Sequence, residues 1–133
     1  MKRFKFDPSK KKLRKTLKEY EEIALRHIWD IGEEGQGSGS TWEYVNNKLA
    51  EVGKSISRAS VIFFLDRMVE QGVLQYRETT GKGGRFRIYY PKLNEREYRK
   101  FMLKTIIDSR MMDFPEETKE VLEECRGNAL REE

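Results

Sequence analysis

Residues 57–91 set a helix with a defined start and stop directly ahead of two alternating strands joined by glycines. That succession restricts the fold more than any other stretch. Ser57 has the chemistry of an N-cap, because its hydroxyl accepts from a first-turn amide that has no partner within the helix. Val61, Phe64, Leu65, Met68 and Val69 recur at steps of three and four, the spacing of one buried helical face. The helix is predicted to run to Gln71, with Gly72 just past its end, where a left-handed residue commonly closes a helix. VLQYRET (73–79) then alternates its side chains between two faces, and RFRIYY (85–90), closed by Pro91, returns as a second strand. Between them TGKGG supplies Gly81, Gly83 and Gly84 for a tight turn.

Two helices are predicted ahead of this unit. From Leu17, the residues Tyr20, Ile23, Ala24, His27, Ile28 and Ile31 continue one face, Leu25 and Trp29 form a second stripe, and Gly32 ends the helix. EEGQGSGS (33–40) reads as a surface loop. Ser40 and Glu43 form a capping box for a second helix. That helix turns Trp42, Val45, Leu49 and, at its end, Val52 inward, and stops at Gly53. The order helix, helix, short turn, helix, glycine-tipped hairpin is that of a winged helix-turn-helix. The expected fold class is therefore mainly α with a small β-hairpin.

Beyond the hairpin, Asn94 and Glu97 make another capping box, and Pro115 suits the first position of a final helix. GNALREE, at the C-terminus, is expected to fray. The helix after Asn94 carries Phe101, Met102, Ile106, Ile107, Met111 and Met112, more apolar surface than one face against the domain absorbs. A twofold dimer seam through Phe101, Met102, Ile106, Ile107 and Met111 fits this surplus, and folding back onto the first helix within a monomer is the alternative. The expected organisation is a flexible basic arm (1–16), a winged-helix DNA-binding domain (17–92), a helical dimerisation extension (93–126) and a tail (127–133).

Charge is segmented. Residues 1–18 hold nine Lys/Arg against Asp7 alone, and 54–104 hold twelve against five acids, whereas 19–53 and 113–133 are acidic. Basic segments of this kind suit a polyanion, while solvated faces are the plainer reading. The single cysteine, Cys125, excludes an internal disulfide or a multi-cysteine zinc site. One histidine, His27, lies in a helical stripe, GKGG (81–84) lacks the spacing of a phosphate-binding loop, and no pair of carboxylates is placed for acid–base work. No enzyme, metal, cofactor or small-molecule ligand is expected. No apolar run reaches the roughly 18 residues of a membrane helix, and MKRFKF has no signal-peptide core, so a cytoplasmic protein is expected.

Two stretches carry a resemblance. Val69-Glu70-Gln71-Gly72-Val73-Leu74 and Gly84-Arg85-Phe86-Arg87-Ile88-Tyr89-Tyr90-Pro91, followed by helices after Asn94, resemble the penicillinase-repressor (BlaI/MecI-like) winged-helix regulators. That family's recognition helix ends in a V-x-x-G-L-[LI] element, its wing leads into a G-R-x-Y-x-Y-x-P-like strand, and its helical C-terminal extension dimerises. The resemblance covers roughly residues 17–112. It implies a regulator, more often a repressor, that occupies a palindromic operator as a homodimer. The sequence departs from the family in its glycine-rich loop 32–40 and in Ile62, where a lysine is common. The paired cysteines of copper-responsive relatives are missing.

On this reading the recognition helix enters the major groove by its first turns, which puts Ser57, Arg58 and Ser60 at the DNA. An exposed arginine there suits the bidentate bond to guanine. With Val61, Phe64, Leu65 and Met68 inward, Ile62 lies about 100° and Phe63 about 160° from the core-facing stripe. Three environments suit them equally: thymine methyls, cover by the arm or first helix, and another protein. Lys82, Arg85 and Arg87 surround the hairpin tip. Arg85 and Arg87, two apart on a strand, share a face and suit phosphates, or else guard a strand edge by charge. Double-stranded DNA is the expected partner, a protein-interaction module the alternative, and an RNA-binding winged helix a weaker one.

Overall fold

The structure, a computed structural model, describes Leu13 and residues 16–132, the side chains of 129–132 excepted. The expected basic arm 1–16 therefore lies outside the described residues apart from Leu13 and Thr16. Leu13 and Leu17 are both buried, so packing begins ahead of the first helix. The elements are α1 (Glu19–Ile31), β1 (Gln36–Gly37), α2 (Ser38–Ala50), α3 (Arg58–Glu70), β2 (Leu74–Gly81), β3 (Gly84–Pro91), α4 (Glu95–Asp113) and α5 (Pro115–Glu132), with a 3-10 turn at Gly32–Glu34. This is a winged helix with a helical C-terminal extension. Among the described residues no helix is long and apolar enough to cross a membrane.

The chain divides into two compact units, one running to Tyr98 and the other starting at Arg99. In the first, α1, α2 and α3 close around Leu25, Ile28, Val45, Val61, Phe64 and Leu65. The buried face of α1 differs from the expected stripe: Glu21, Ala24, Leu25 and Ile28 are buried, while Tyr20, Ile23 and His27 are half-buried. Glu21 is tolerated inside because its carboxylate caps the backbone N–H of Lys18 (2.8 Å) and pairs with Arg67 of α3. Buried charge survives only with such partners. The first turn of α4 belongs to this unit. Glu95 accepts from Arg26 (2.6 Å), Trp29 Nε1 donates to the Leu93 carbonyl (3.0 Å), and Tyr98 is buried.

The capping signals hold for α3 and α4. Ser57 Oγ accepts from Ser60 N–H (3.1 Å), and Asn94 and Glu97 cap each other's N–H groups at 2.8 and 3.0 Å. They fail for α2, which starts at Ser38 with Gly37 as N-cap, so Ser40 lies inside the helix. The hydroxyl that anchors this turn is that of buried Thr41, which donates toward the Gly37 carbonyl at 2.9 Å. Val52 is exposed beyond the end of α2, and α5 continues through GNALREE to Glu132.

The largest difference is in the loop 33–40. Gln36 and Gly37 pair antiparallel with Tyr89 and Ile88, so the hairpin is part of a three-stranded sheet ordered β1-β3-β2. Gly35 makes the approach possible, since a Cβ there would lie 2.6 Å from the Tyr89 carbonyl oxygen, at a φ of +72°. Arg77 of β2 donates to the carbonyls of Glu33 and Glu34, holding the same loop from the other side.

In the second unit, α4 and α5 meet at Phe114. Thr118 Oγ1 donates to the Arg110 carbonyl at 3.0 Å across the break. Pro115 opens α5, where its missing N–H costs nothing.

Candidate nucleic-acid interface

The turn between α2 and α3 is fixed by two α2 side chains that hold one residue of it. Trp42 Nε1 donates to the Ile56 carbonyl at 2.8 Å, and Asn46 Oδ1 accepts from Ile56 N–H at 3.1 Å. Both backbone groups of Ile56 are thus satisfied, and α3 starts at a set angle from α2. At its start Ser57 is committed to capping, and its hydroxyl also lies 2.8 Å from that of Ser60. Arg58 is exposed, with its guanidinium carbon 5.4 Å from the centre of the Trp42 ring.

Along α3, Ile62 is 37% exposed and Phe63 is 71% exposed. Among the described residues nothing covers Phe63. The outer side of α3 also bears Asp66, which the sequence reading did not single out. Tyr89 of β3 donates its hydroxyl to Asp66 Oδ1 at 2.5 Å, and Arg87 donates to the same oxygen at 3.3 Å. Burial, then the bond to Asp66, pushes the Tyr89 phenol up to about 12. The signal for this cluster was an acid on α3 opposite an aromatic-rich strand. Only the strand register could show that they meet.

Arg85, Arg87 and Tyr89 share one face of β3, as their spacing requires, with Thr80, Glu78 and Tyr76 opposite them on β2. The two arginines differ in surroundings. Arg87 lies 4.2 Å from the Tyr76 ring centre and pairs with Asp66, so it fastens the wing to α3. Arg85 is well exposed, with Glu78 at 3.6 Å, and Lys82 is exposed in the turn. Phe86, on the opposite face, is also exposed.

The expected dimer residues all lie on α4. Phe101, Met102, Ile106, Ile107 and Met111 are half-buried, whereas Leu103, Met112, Phe114, Val121 and Leu122 are exposed. His27 stacks on Tyr44 with ring centres 3.6 Å apart and nearly parallel, and burial lowers its pKa. Cys125 is exposed on α5.

Comparison with known proteins places this arrangement. Among solved structures, the Orc1 protein of Aeropyrum pernix in complex with DNA is similar with a TM-score of 0.54 and 14% identity, over 71% of this chain. This chain spans 26% of that one, and the likeness shows the fold alone. A candidate transcriptional regulator from Thermoplasma acidophilum is similar with a TM-score of 0.43 and 14% identity, over 80% of this chain and 92% of its own. No curated protein matches. The profile of the penicillinase-repressor family matches residues 17–128, from the first helix through the wing and most of α5. The chain belongs to the penicillinase-repressor family of transcriptional regulators.

Proposed function

We propose that this protein is a sequence-specific double-stranded DNA-binding repressor that acts as a homodimer on a palindromic operator. The observation that carries the reading is the presence of both a recognition-helix start, with Ser57 and Arg58 exposed and Ser60 half-buried, and an exposed basic wing tip formed by Lys82 and Arg85. On the same helix the exposed Ile62 and Phe63 give an apolar face suited to thymine methyls. Phosphate contacts by the wing supply most of the affinity, and the helix supplies the sequence preference. Arg87 serves by fastening the wing, through Asp66, more than by reaching the backbone. α4 and α5 provide the twofold seam that spaces two recognition helices about one turn of DNA apart. Repression follows from occupying the operator and excluding polymerase. The reading involves no catalytic step.

The test is a salt series of binding to random 30-bp duplex, comparing wild type with Lys82→Ala/Arg85→Ala. A steep loss of affinity with salt, and a slope reduced by about two in the variant, is expected if both cations neutralise phosphates. Absence of duplex binding at low salt sinks the reading. The exposed Phe63 then favours the second one, a winged helix that docks on protein. Phe63→Ala distinguishes the two, because it abolishes a protein contact centred on that ring but leaves the wing's salt slope intact.

A further inference from the structure

Gly39 is a glycine inside α2 with no conformational need to be one, as its φ is not positive. Its neighbour explains it. A Cβ at Gly39 would lie 2.7 Å from a terminal guanidinium nitrogen of Arg58, whose guanidinium carbon is 5.4 Å from the centre of the Trp42 ring. Trp42 is itself fixed by its bond to Ile56. Two residues of α2, one by lacking a side chain and one by offering an indole face, thus make a seat for the arginine at the start of α3.

We propose that Gly39 and Trp42 are positioning residues that hold Arg58 ready for DNA, and so determine the sequence preference of the recognition helix. This rests on the DNA-binding reading above. An arginine side chain free in solvent loses rotamer freedom when it forms a bidentate bond, whereas one already seated against an aromatic face loses less. A guanidinium held beside an aromatic ring can still donate from its N–H groups, and guanine O6 and N7 are the matching acceptor pair.

Gly39→Ala separates this role from a structural one. Alanine favours a helix over glycine, and the atom it meets is the far end of a flexible side chain, so α2 is not weakened. The variant is expected to melt no lower than wild type. The Arg58 Nε–Hε resonance is expected to be shifted by the indole ring in the wild type and to lie at the position of a free arginine in the variant. Binding is measured on duplexes that the wild-type protein selects from a randomised 30-bp pool. Gly39→Ala is expected to weaken it by about threefold to tenfold, with no further loss in an Arg58→Ala background. Unchanged or tighter binding by Gly39→Ala overturns the inference, as does an equal loss in the Arg58→Ala background. If the wild type selects no duplex, the DNA-binding reading fails and takes this inference with it. Selection that survives in Gly39→Ala with the same consensus overturns the inference alone.

Discussion

The unit that ends at Tyr98 and the unit that begins at Arg99 treat apolar side chains in opposite ways. In the first, Val45, Val61, Phe64 and Leu65 are essentially inaccessible, and the backbone groups of its turns are held by side chains such as Trp42, Asn46 and Arg77. In the second, none of the described side chains from Arg99 to Asn128 is fully buried, and Leu103 and Met112 are 55% and 75% exposed. Helices of this length with so little enclosed surface gain stability from packing they do not find within themselves. One part of the chain therefore encloses its apolar side chains, while the other leaves large ones such as Leu103 and Met112 in solvent.

The strongest way to break this contrast is to open the enclosed core. Phe64→Ala removes a ring that is 1% exposed and is expected to cost about 3–5 kcal/mol, read by urea denaturation of the full chain. Charging the other unit has a different signature. If the proposed homodimer seam extends over the exposed Leu103 and Met112 beside Phe101, Met102 and Met111, Leu103→Glu/Met112→Glu is expected to raise the dimer dissociation constant roughly a hundredfold in sedimentation equilibrium, by placing charge where the seam would exclude water. The melting of the first unit should stay as it was. An unchanged dimer in that variant assigns the seam elsewhere.

Within the first unit, Asp66→Ala leaves Tyr89 and Arg87 without their shared acceptor. It is expected to cost about 1–2 kcal/mol and to speed amide exchange in β3. The smallest effect concerns pH. The His27 pKa is lowered by burial, and its Nε2 meets no partner among the described residues. The unfolded chain therefore takes up a proton at a higher pH than the folded one. Stability is full above about 6.5 and declines as pH falls from there to the lowered folded pKa. His27→Phe, which keeps the stack on Tyr44, should flatten that slope in melting curves between pH 7 and 5.

What was legible in the sequence was local. Ser57 and Gly72 bound α3, Asn94 and Glu97 start α4, and alternation with glycines marks the hairpin, each read within a few residues. The start of α2 was misplaced because a glycine N-cap leaves no side-chain signal while the Ser40–Glu43 pair imitates one. β1 escaped because two residues, Gln36 and Gly37, have no period, and their partners lie some fifty positions away. The same distance hid the candidate site's finer structure. Spacing put Arg85 and Arg87 on one face, but only the register brings Asp66 to one of them and not the other. Likewise Arg58 was singled out for its place at a helix start, while its seat on Trp42 depends on how α2 crosses it.

The pairing of β1 with β3 has a mechanical consequence for the wing. Among the described residues, only Tyr89 and Ile88 are flanked on both sides, by β1 and by β2. Beyond Arg87, which Asp66 holds to α3, the hairpin up to the Lys82 turn is a two-stranded ribbon extending roughly 10 Å. A ribbon held at its root bends most at its end, and bending there requires no break in the α-helical core. The cations at the tip therefore ride on a spring. On the proposed DNA-binding reading, their reach would adapt to the local width of a groove without displacing α3.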